Sequence, residues 1–282
     1  MEHKQTVVCF GEVLWDVYPT EKKLGGAPFN VAAHLMQSGT QAHIITKIGN
    51  DDLGKQIVSA IQLQNISIKQ LQIDENLPTG TVQVNLDANG IPSYKISEPV
   101  AWDFIDKSLA NTELVNSADA LVYGTLACRS AQNFDTLMEL TKHSKLNICD
   151  LNIRQKFYNK SVIESLLNQS HILKINNEEE QLLIEIFNFE AANFYKQIQA
   201  KFNIEIIIKT KGERGAELFQ NNKVYKVDGV KIDVVDTVGS GDAFLAAFIH
   251  NYLNKRDLKT CLEKGANLGA YVATYTGAIP KH

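Results

Sequence analysis

The sequence is poor in cysteine, in unbalanced charge and in long apolar runs, and each shortage closes off a class of function. Four cysteines occur among 282 residues: Cys9, Cys128, Cys149 and Cys261. They are far apart and form no Cys-x-x-Cys pair, which predicts reduced, buried thiols in a cytosolic protein. The chain has 28 basic and 32 acidic residues, a net charge of −4. It therefore has no polyanion-binding tract, and nucleic acid is not an expected partner. No run reaches the ~18 apolar residues that a membrane span needs. The first apolar stretch, Val7-Val8-Cys9-Phe10, is broken at Gly11 and Glu12 and does not read as a signal peptide. A cytoplasmic location without a membrane partner is expected, and the Asn-x-Ser matches at Asn65, Asn159 and Asn168 then carry no meaning. No internal repeat, low-complexity tract or linker divides the chain.

A hydrophobic fraction of 44% is enough for a sizeable core, in one large α/β domain or two small ones. The most informative stretch is Asp236-Thr237-Val238-Gly239-Ser240-Gly241-Asp242. Two glycines around a serine allow a tight turn with unobstructed N–H groups. Ala243 to Ile249 then continues as a good helix former. A glycine turn opening a helix offers free N–H groups and the positive end of the helix dipole to an anion. Asp242, on the first turn, is a carboxylate beside that anion site. It is either a helix-start charge or a group that takes a proton from a hydroxyl while the N–H groups hold phosphoryl charge. A dinucleotide fingerprint is disfavoured, because Phe244 stands where its third glycine would be.

The stretch Asp236 to Asp242 resembles the C-terminal signature of the ribokinase (PfkB) family of carbohydrate kinases. The resemblance runs from about Gly11 to Gly277. Leu24-Gly25-Gly26-Ala27-Pro28-Phe29-Asn30 is similar to the family's N-terminal Gly-Gly signature, with Pro28 suited to the first turn of a helix. On residues alone, Asp16 reads as a turn cap; the resemblance implies instead that it binds sugar hydroxyls, two of which can donate to one carboxylate. Asp150-Leu151-Asn152-Ile153-Arg154 ends a strand and resembles the family's Asp-Pro-Asn-x-Arg, with Leu151 in place of the proline. Lys174-Ile175-Asn176-Asn177-Glu178-Glu179 resembles its Lys-x-Asn-x-x-Glu segment, and Asn176 and Glu179 also read as a helix capping box. Gly49 to Gln56 nearly spells a phosphate-binding loop. Gln56 lacks the hydroxyl that such a loop supplies to magnesium, so the stretch reads as a turn opening a helix over 52–64. His34 and His43 lack metal-ligand spacing, and Trp102 reads as core.

The resemblance implies an α/β fold, a ribokinase-like three-layer sandwich with a mostly parallel central sheet and a small antiparallel β lid. It predicts a single kinase domain over 1–282, with the lid formed by about 13–23 and 79–105. A turn at Asp87-Ala88-Asn89-Gly90 would join the two lid strands. The implied activity is ATP-dependent phosphorylation of a sugar hydroxyl. The stretch Glu98 to Ile105 looks most like fructokinases, which points to fructose. Ribose, 2-keto-3-deoxygluconate or a nucleoside are the alternatives, and a non-catalytic sugar-binding homologue is a further one. The catalytic set would be Asp242 as base with the N–H groups of Gly239, Ser240 and Gly241. Asp16, Gly25, Gly26, Asn30 and Arg154 would bind substrate. Asn176, Glu179, Thr210, Gly212, Gly215 and Asn267 would bind the nucleotide. Mg²⁺ is implied as cofactor, with Glu179 acting through water. By resemblance only, K⁺ is implied at Asp236 and the carbonyl of Val238, and a homodimer through the lid.

Overall fold

Alternate residues of Thr6–Phe10 (β1) enter two different buried clusters, Val7 and Cys9 in one, Val8 and Phe10 in the other. A strand that is apolar on both faces has to be covered on both, as in parallel sheets flanked by helices. The computed structural model describes residues 4–86 and 92–282. The expected turn at 87–90 lies outside the described residues. After β1 come Leu14–Val17 (β2), Lys22–Gly25 (β3), Ala27–Gln37 (α1), Gln41–Gly49 (β4), Asp52–Leu63 (α2) and Leu71–Asp74 (β5). Thr81–Leu86 (β6), Pro92–Ile96 (β7), Leu109–Ser117 (α3), Ala120–Tyr123 (β8), Ala131–Thr141 (α4) and Asn147–Asp150 (β9) follow. Then come Lys160–Gln169 (α5), Ile172–Ile175 (β10), Asn177–Phe187 (α6), Phe194–Phe202 (α7) and Ile206–Thr210 (β11). The chain closes with Ala216–Gln220 (β12), Lys223–Val227 (β13), Ser240–Leu253 (α8) and Leu258–Ala273 (α9).

The large sheet has the order β13-β12-β11-β10-β9-β8-β1-β4-β5. It is parallel from β5 to β11, with β12 and β13 added antiparallel at one edge. Buried residues of α1, α2, α8 and α9 join one cluster, and those of α3, α4, α5, α6 and α7 join the other. The result is the expected three-layer arrangement. Among the described residues no helix is long and apolar enough to cross a membrane.

The small sheet, β3-β2-β6-β7, is built from two antiparallel pairs, β2–β3 and β6–β7. They are joined by a parallel pairing of β2 with β6. Residues 97–105 leave the sheet and turn beneath it. A third cluster there joins Leu14, Val82 and Ile96 to Val100, Trp102 and Leu126. Trp102 is fully buried, as a packing residue should be. The Arg129 guanidinium lies over its ring at 4.0 Å and over Phe157 at 4.7 Å. Arg129 also donates to both carboxylate oxygens of Asp103, at 2.6 and 2.7 Å, and to Ser97 O at 2.7 Å. The base of the small sheet is thereby anchored to the body.

Apart from α7, which begins at Asn193 without a side-chain cap, the helix starts separate into two kinds. α2, α3, α4, α5, α6 and α9 begin at Asp51, Ser108, Ser130, Asn159, Asn176 and Asp257, whose side-chain oxygens each accept from the third helical N–H. These caps satisfy donors that would otherwise be orphaned. α1 and α8 begin instead at Gly26 and Gly239, with no side-chain cap. Their open ends face the same place.

Because Trp102 fills the joint between the small sheet and the body, Trp102→Ala should lower the unfolding free energy by about 3–5 kcal/mol. Urea denaturation of the two proteins checks this. A loss under about 1 kcal/mol would mean that the joint collapses around the missing ring.

Candidate active site

Strand order reverses beside β1, with β4 and β5 on one side and β8 to β11 on the other. Ligands bind outside the carboxyl ends of parallel strands at such a reversal. A cleft of about 610 Å³ opens there under the small sheet. Asp16 of β2, Val82 of β6 and Ile96 of β7 line it from above, and Gly26, Asn30, Arg154 and Asp242 from the body. A second cleft, about 640 Å³, runs past the start of α8 between Gly212, Gly215 and Val230 on one side and Ala266 and Ala270 on the other. The two clefts share Thr210, Thr237 and Gly241. The glycine turn is thus the boundary between them.

Local sequence explains that turn. Gly239 has φ 79°, a left-handed conformation, and a Cβ there would lie 2.6 Å from Ala278. Glycine is required on both counts. The Ser240 N–H donates to Thr237 O at 3.2 Å, and that of Ala243 donates to Gly239 O at 2.8 Å. Among the described residues the N–H groups of Gly239, Gly241 and Asp242 have no hydrogen-bond partner. This corrects the expected cradle: the turn takes the Ser240 amide inward, and the Asp242 amide stands free in its place.

Asp242 is nearly buried, and its Oδ2 accepts from Asn30 Nδ2 at 2.8 Å. Its pKa is pushed up to about 6, by burial first and then by the Asp150 carboxylate, against the pull of Asn30, Lys174 and Arg154. Asn30 Oδ1 is buried without a partner. Asp16 is also raised to about 6 by burial, although Arg154 and Lys23 draw it down. A Cβ on Gly25 would lie 2.6 Å from Asp16 Oδ2, so the glycine leaves room for the carboxylate. Arg154 is exposed at the rim, close enough for its charge to act on Glu12, Asp16 and Asp242.

Asn176 and Glu179 form the capping box, and their backbone and side chains do more than that. Glu179 is 6% exposed. Its Oε2 accepts from Asn176 N and its Oε1 from Ile153 N, both at 2.9 Å. The carboxylate therefore holds down the loop that carries Arg154. Both residues line the first cleft near the shared turn. Asp236 accepts from Val238 N at 3.0 Å and from Gly277 N at 3.1 Å, tying the turn to the C-terminal segment. Among the described residues no group of three or more His, Cys, Asp or Glu side chains could hold a metal ion. Glu179, with one amide on each oxygen, keeps lone pairs that suit a hydrated Mg²⁺ held through water.

Asn267 does not join either cleft. It lines a cavity of about 390 Å³ that shares Ala266 with the second cleft, together with Lys226, Asp228 and Lys259. The reason is helical phase: Ala266, Gly269, Ala270 and Ala273 share the face of α9 that meets the second cleft, and Asn267 is turned one step away. Two residues in the first cleft were not among the expected ones. Glu12, 4% exposed, accepts from the Ala27 N–H at the start of α1, and burial pushes its pKa up to about 7. Lys174 donates to both oxygens of Asp150 at 2.8 Å. The available signals were an acid directly after the first apolar strand and a lysine between Leu173 and Ile175.

Comparison with known proteins gives a consistent picture. The family model for pfkB family carbohydrate kinases matches residues 4–282. A protein of Pyrococcus horikoshii described as an uncharacterized sugar kinase is 29% identical over 271 residues, covering 93% of this chain and 84% of the other. Its crystal structure superposes with a TM-score of 0.85 over 98% of this chain and 94% of that one, and it has also been solved in complex with ATP. Fructokinase-2 of Oryza sativa subsp. japonica is 26% identical over 308 residues, 97% of this chain and 90% of the other. The fructokinase of Vibrio cholerae O395, solved with fructose, ADP and calcium ion, has a TM-score of 0.85 at 20% identity, over 98% of this chain and 95% of that one. A double mutant of it was solved with fructose, ADP and potassium ion.

The raised pKa of Asp242 has a consequence for stability. A carboxyl whose folded pKa, about 6, exceeds its ordinary value of 3.8 destabilises the fold while ionised. The cost is full above about pH 6, shrinks as pH falls, and vanishes only below the ordinary value of 3.8. Asp242→Asn should therefore be more stable than the unaltered protein at pH 8, on the order of 2–3 kcal/mol, and by only about 1 kcal/mol at pH 4.5. Denaturation at the two pH values measures the difference; a gain that did not change with pH would show that the carboxyl is not raised.

Proposed function

This chain belongs to the pfkB family of carbohydrate kinases, phosphotransferases with an alcohol group as acceptor, and we propose that it transfers the γ-phosphoryl group of ATP to a hydroxyl of fructose. The observation that supports this reading best is the shared turn. One glycine turn with free N–H groups borders two clefts, and a buried carboxylate, Asp242, stands beside it. A phosphoryl group passing from one cleft to the other would cross that turn.

In this reading the sugar occupies the first cleft, with hydroxyls donating to Asp16 and to the unpartnered Asn30 Oδ1, and Gly25 and Gly26 leave it room. Val82 and Ile96 of the lid exclude water from above. Asp242 takes the proton from the acceptor hydroxyl as its oxygen bonds to the γ-phosphorus. The bond from phosphorus to the β–γ bridging oxygen breaks, and ADP leaves. The N–H groups of Gly239, Gly241 and Asp242 stabilise the transferring charge in a fixed geometry. Arg154 at the rim faces the same charge. The nucleotide occupies the second cleft, with Thr210, Gly212 and Gly215 along it and Asn176 and Glu179 at its junction with the first. Mg²⁺ would be held through water by Glu179 and Asn176, where it spreads phosphate charge. Asp236 and the Val238 carbonyl would hold K⁺. The whole chain would work as one kinase domain. Four buried free thiols suit a reducing, cytoplasmic setting.

The choice of fructose draws on relatives named fructokinases at 26% identity and on the stretch Glu98 to Ile105. ADP release from ATP and Mg²⁺ across a panel of ketoses, aldoses, 2-keto-3-deoxygluconate and nucleosides tests it. Fructose should give the highest kcat/KM, and a clear preference for another member would reassign the substrate. A non-catalytic role is disfavoured because Asp242, Gly239 and Gly241 are all in place.

Two sets of variants follow. Asp16→Ala should weaken sugar binding by about 1–3 kcal/mol while leaving ATP binding nearly unchanged, and so should Asn30→Ala. Equal losses for both ligands in calorimetry would move these residues off the sugar side. Asp242→Asn should cut kcat by about 10²–10⁴-fold, with both dissociation constants within a few-fold of the unaltered protein. Turnover within threefold of the unaltered protein would leave Asp242 a helix-start residue and require another base.

A further inference from the structure

Lys174 lies near the carboxyl end of β10, between Leu173 and Ile175, both fully buried. Asp150 stands opposite it in register on parallel β9. The ammonium is 2.8 Å from each of the two carboxylate oxygens, and both side chains are under a tenth exposed. A buried ion pair of this kind is weak evidence for stability, because desolvation offsets its attraction and apolar residues of like volume often serve the fold as well. Packing alone therefore does not account for this buried pair.

Its position relative to the turn supplies a use. A Cβ built on Gly241 would lie 3.4 Å from Lys174 Nζ, so the ammonium sits against the glycine turn and beside the unpartnered amides of Gly241 and Asp242. It also lines the first cleft together with Asp242. Asp150, Glu179 and Asp242 are three carboxylates around this point, and a polyphosphate arriving there adds further negative charge. An ammonium with three donors, two of them spent on Asp150, keeps donor capacity for one more oxygen. We propose that Lys174 is a further catalytic residue whose ammonium contacts the transferring phosphoryl group, with Asp150 as the positioning residue that holds it against the turn. The inference rests on the kinase reading above. The contact is made with the γ-phosphoryl group and is absent with ADP.

Removing Lys174 alone would strand a buried Asp150 carboxylate. The test is therefore the double variant Lys174→Met/Asp150→Leu, which replaces the pair by apolar groups of similar volume. Should it fail to fold, Lys174→Gln/Asp150→Asn, a neutral hydrogen-bonded pair, is scored in the same way. Calorimetry gives the dissociation constants for ADP and for the non-hydrolysable β,γ-imido analogue of ATP, each with Mg²⁺, and steady-state assay gives kcat. The expected result is a native unfolding transition, ADP affinity within threefold, analogue affinity weakened at least tenfold more than that of ADP, and kcat down at least 100-fold. Analogue and ADP affinities changing together within threefold would overturn the proposal, and so would a kcat loss under tenfold. Either would make the pair structural. Turnover by the unaltered protein tests the kinase reading separately, so the two failures are distinguishable.

Discussion

The hydrogen bond from Asn30 Nδ2 to Asp242 Oδ2, 2.8 Å long, joins side chains 212 residues apart and is the contact on which the arrangement of the site depends. Each partner sits in the first turns of a helix that begins at a glycine rather than at a capping side chain. α1 and α8 contribute to the same buried cluster on one face of the sheet, so their N-termini end up side by side. Two positive helix ends facing one place favour anions there. The structure puts Asp242 and Glu12 beside those ends, and Glu12 accepts from the Ala27 amide of α1. Even so, burial wins over the dipoles, since both carboxyls are raised above their ordinary range.

That balance says what the site is suited to. Glu12, Asp16, Asp150, Glu179 and Asp242 all line one cleft, against Lys174 and Arg154. A cleft so acidic would repel a polyphosphate if nothing intervened. The free N–H groups of the glycine turn, the start of α8 and the ammonium of Lys174 are what intervene, and they are concentrated at Gly241. Asp16 lines the cleft from the small sheet, on β2. In the proposed reading, the division between a hydroxyl-binding half and an anion-binding half is thus electrostatic as well as geometric. Arg129 links the two halves mechanically: it bonds Ser97 at the base of the small sheet and stacks on Phe157, three residues past Arg154.

Much of this was legible in the sequence, for reasons that lie in local physics. The turn at Gly239 to Gly241, the helix opening after Gly49 and the capping box of Asn176 and Glu179 all depend on neighbours within a few residues. The near match to a phosphate loop at Gly49 was excluded on composition, and the structure places Asp51 at the cap of α2, accepting from Gly54 N. What was missed depends on distant partners. The Lys174–Asp150 pair exists only because β9 and β10 are neighbours in register, which no spacing along the chain states. Asn267 lines the cavity next to the second cleft, one helical step, about 100° of rotation, from Ala266, a distinction that a motif match does not resolve. The Ser240 amide was miscounted because the turn's own bond to Thr237 depends on backbone torsions rather than on residue type.

A last feature concerns how firmly the turn is held. Ala278 sits where a Gly239 side chain would be, and its carbonyl oxygen accepts from His34 Nε2 at 2.8 Å. His34 is on α1, fully buried, and its pKa is lowered to about 4, chiefly by burial, so the ring is neutral near pH 7 and donates through one nitrogen. Gly277 donates to Asp236 on the other side of the turn. The glycine turn is therefore clamped between α1 and the C-terminal segment as well as being the start of α8. Donors fixed in this way need no reorganisation when charge develops in front of them, which is the condition under which backbone N–H groups stabilise a transferring group most. The same clamp explains why the least regular backbone in the site is also among its best supported. Left-handed geometry at Gly239 would be soft in isolation, and the contacts with Ala278 and Asp236 make it rigid.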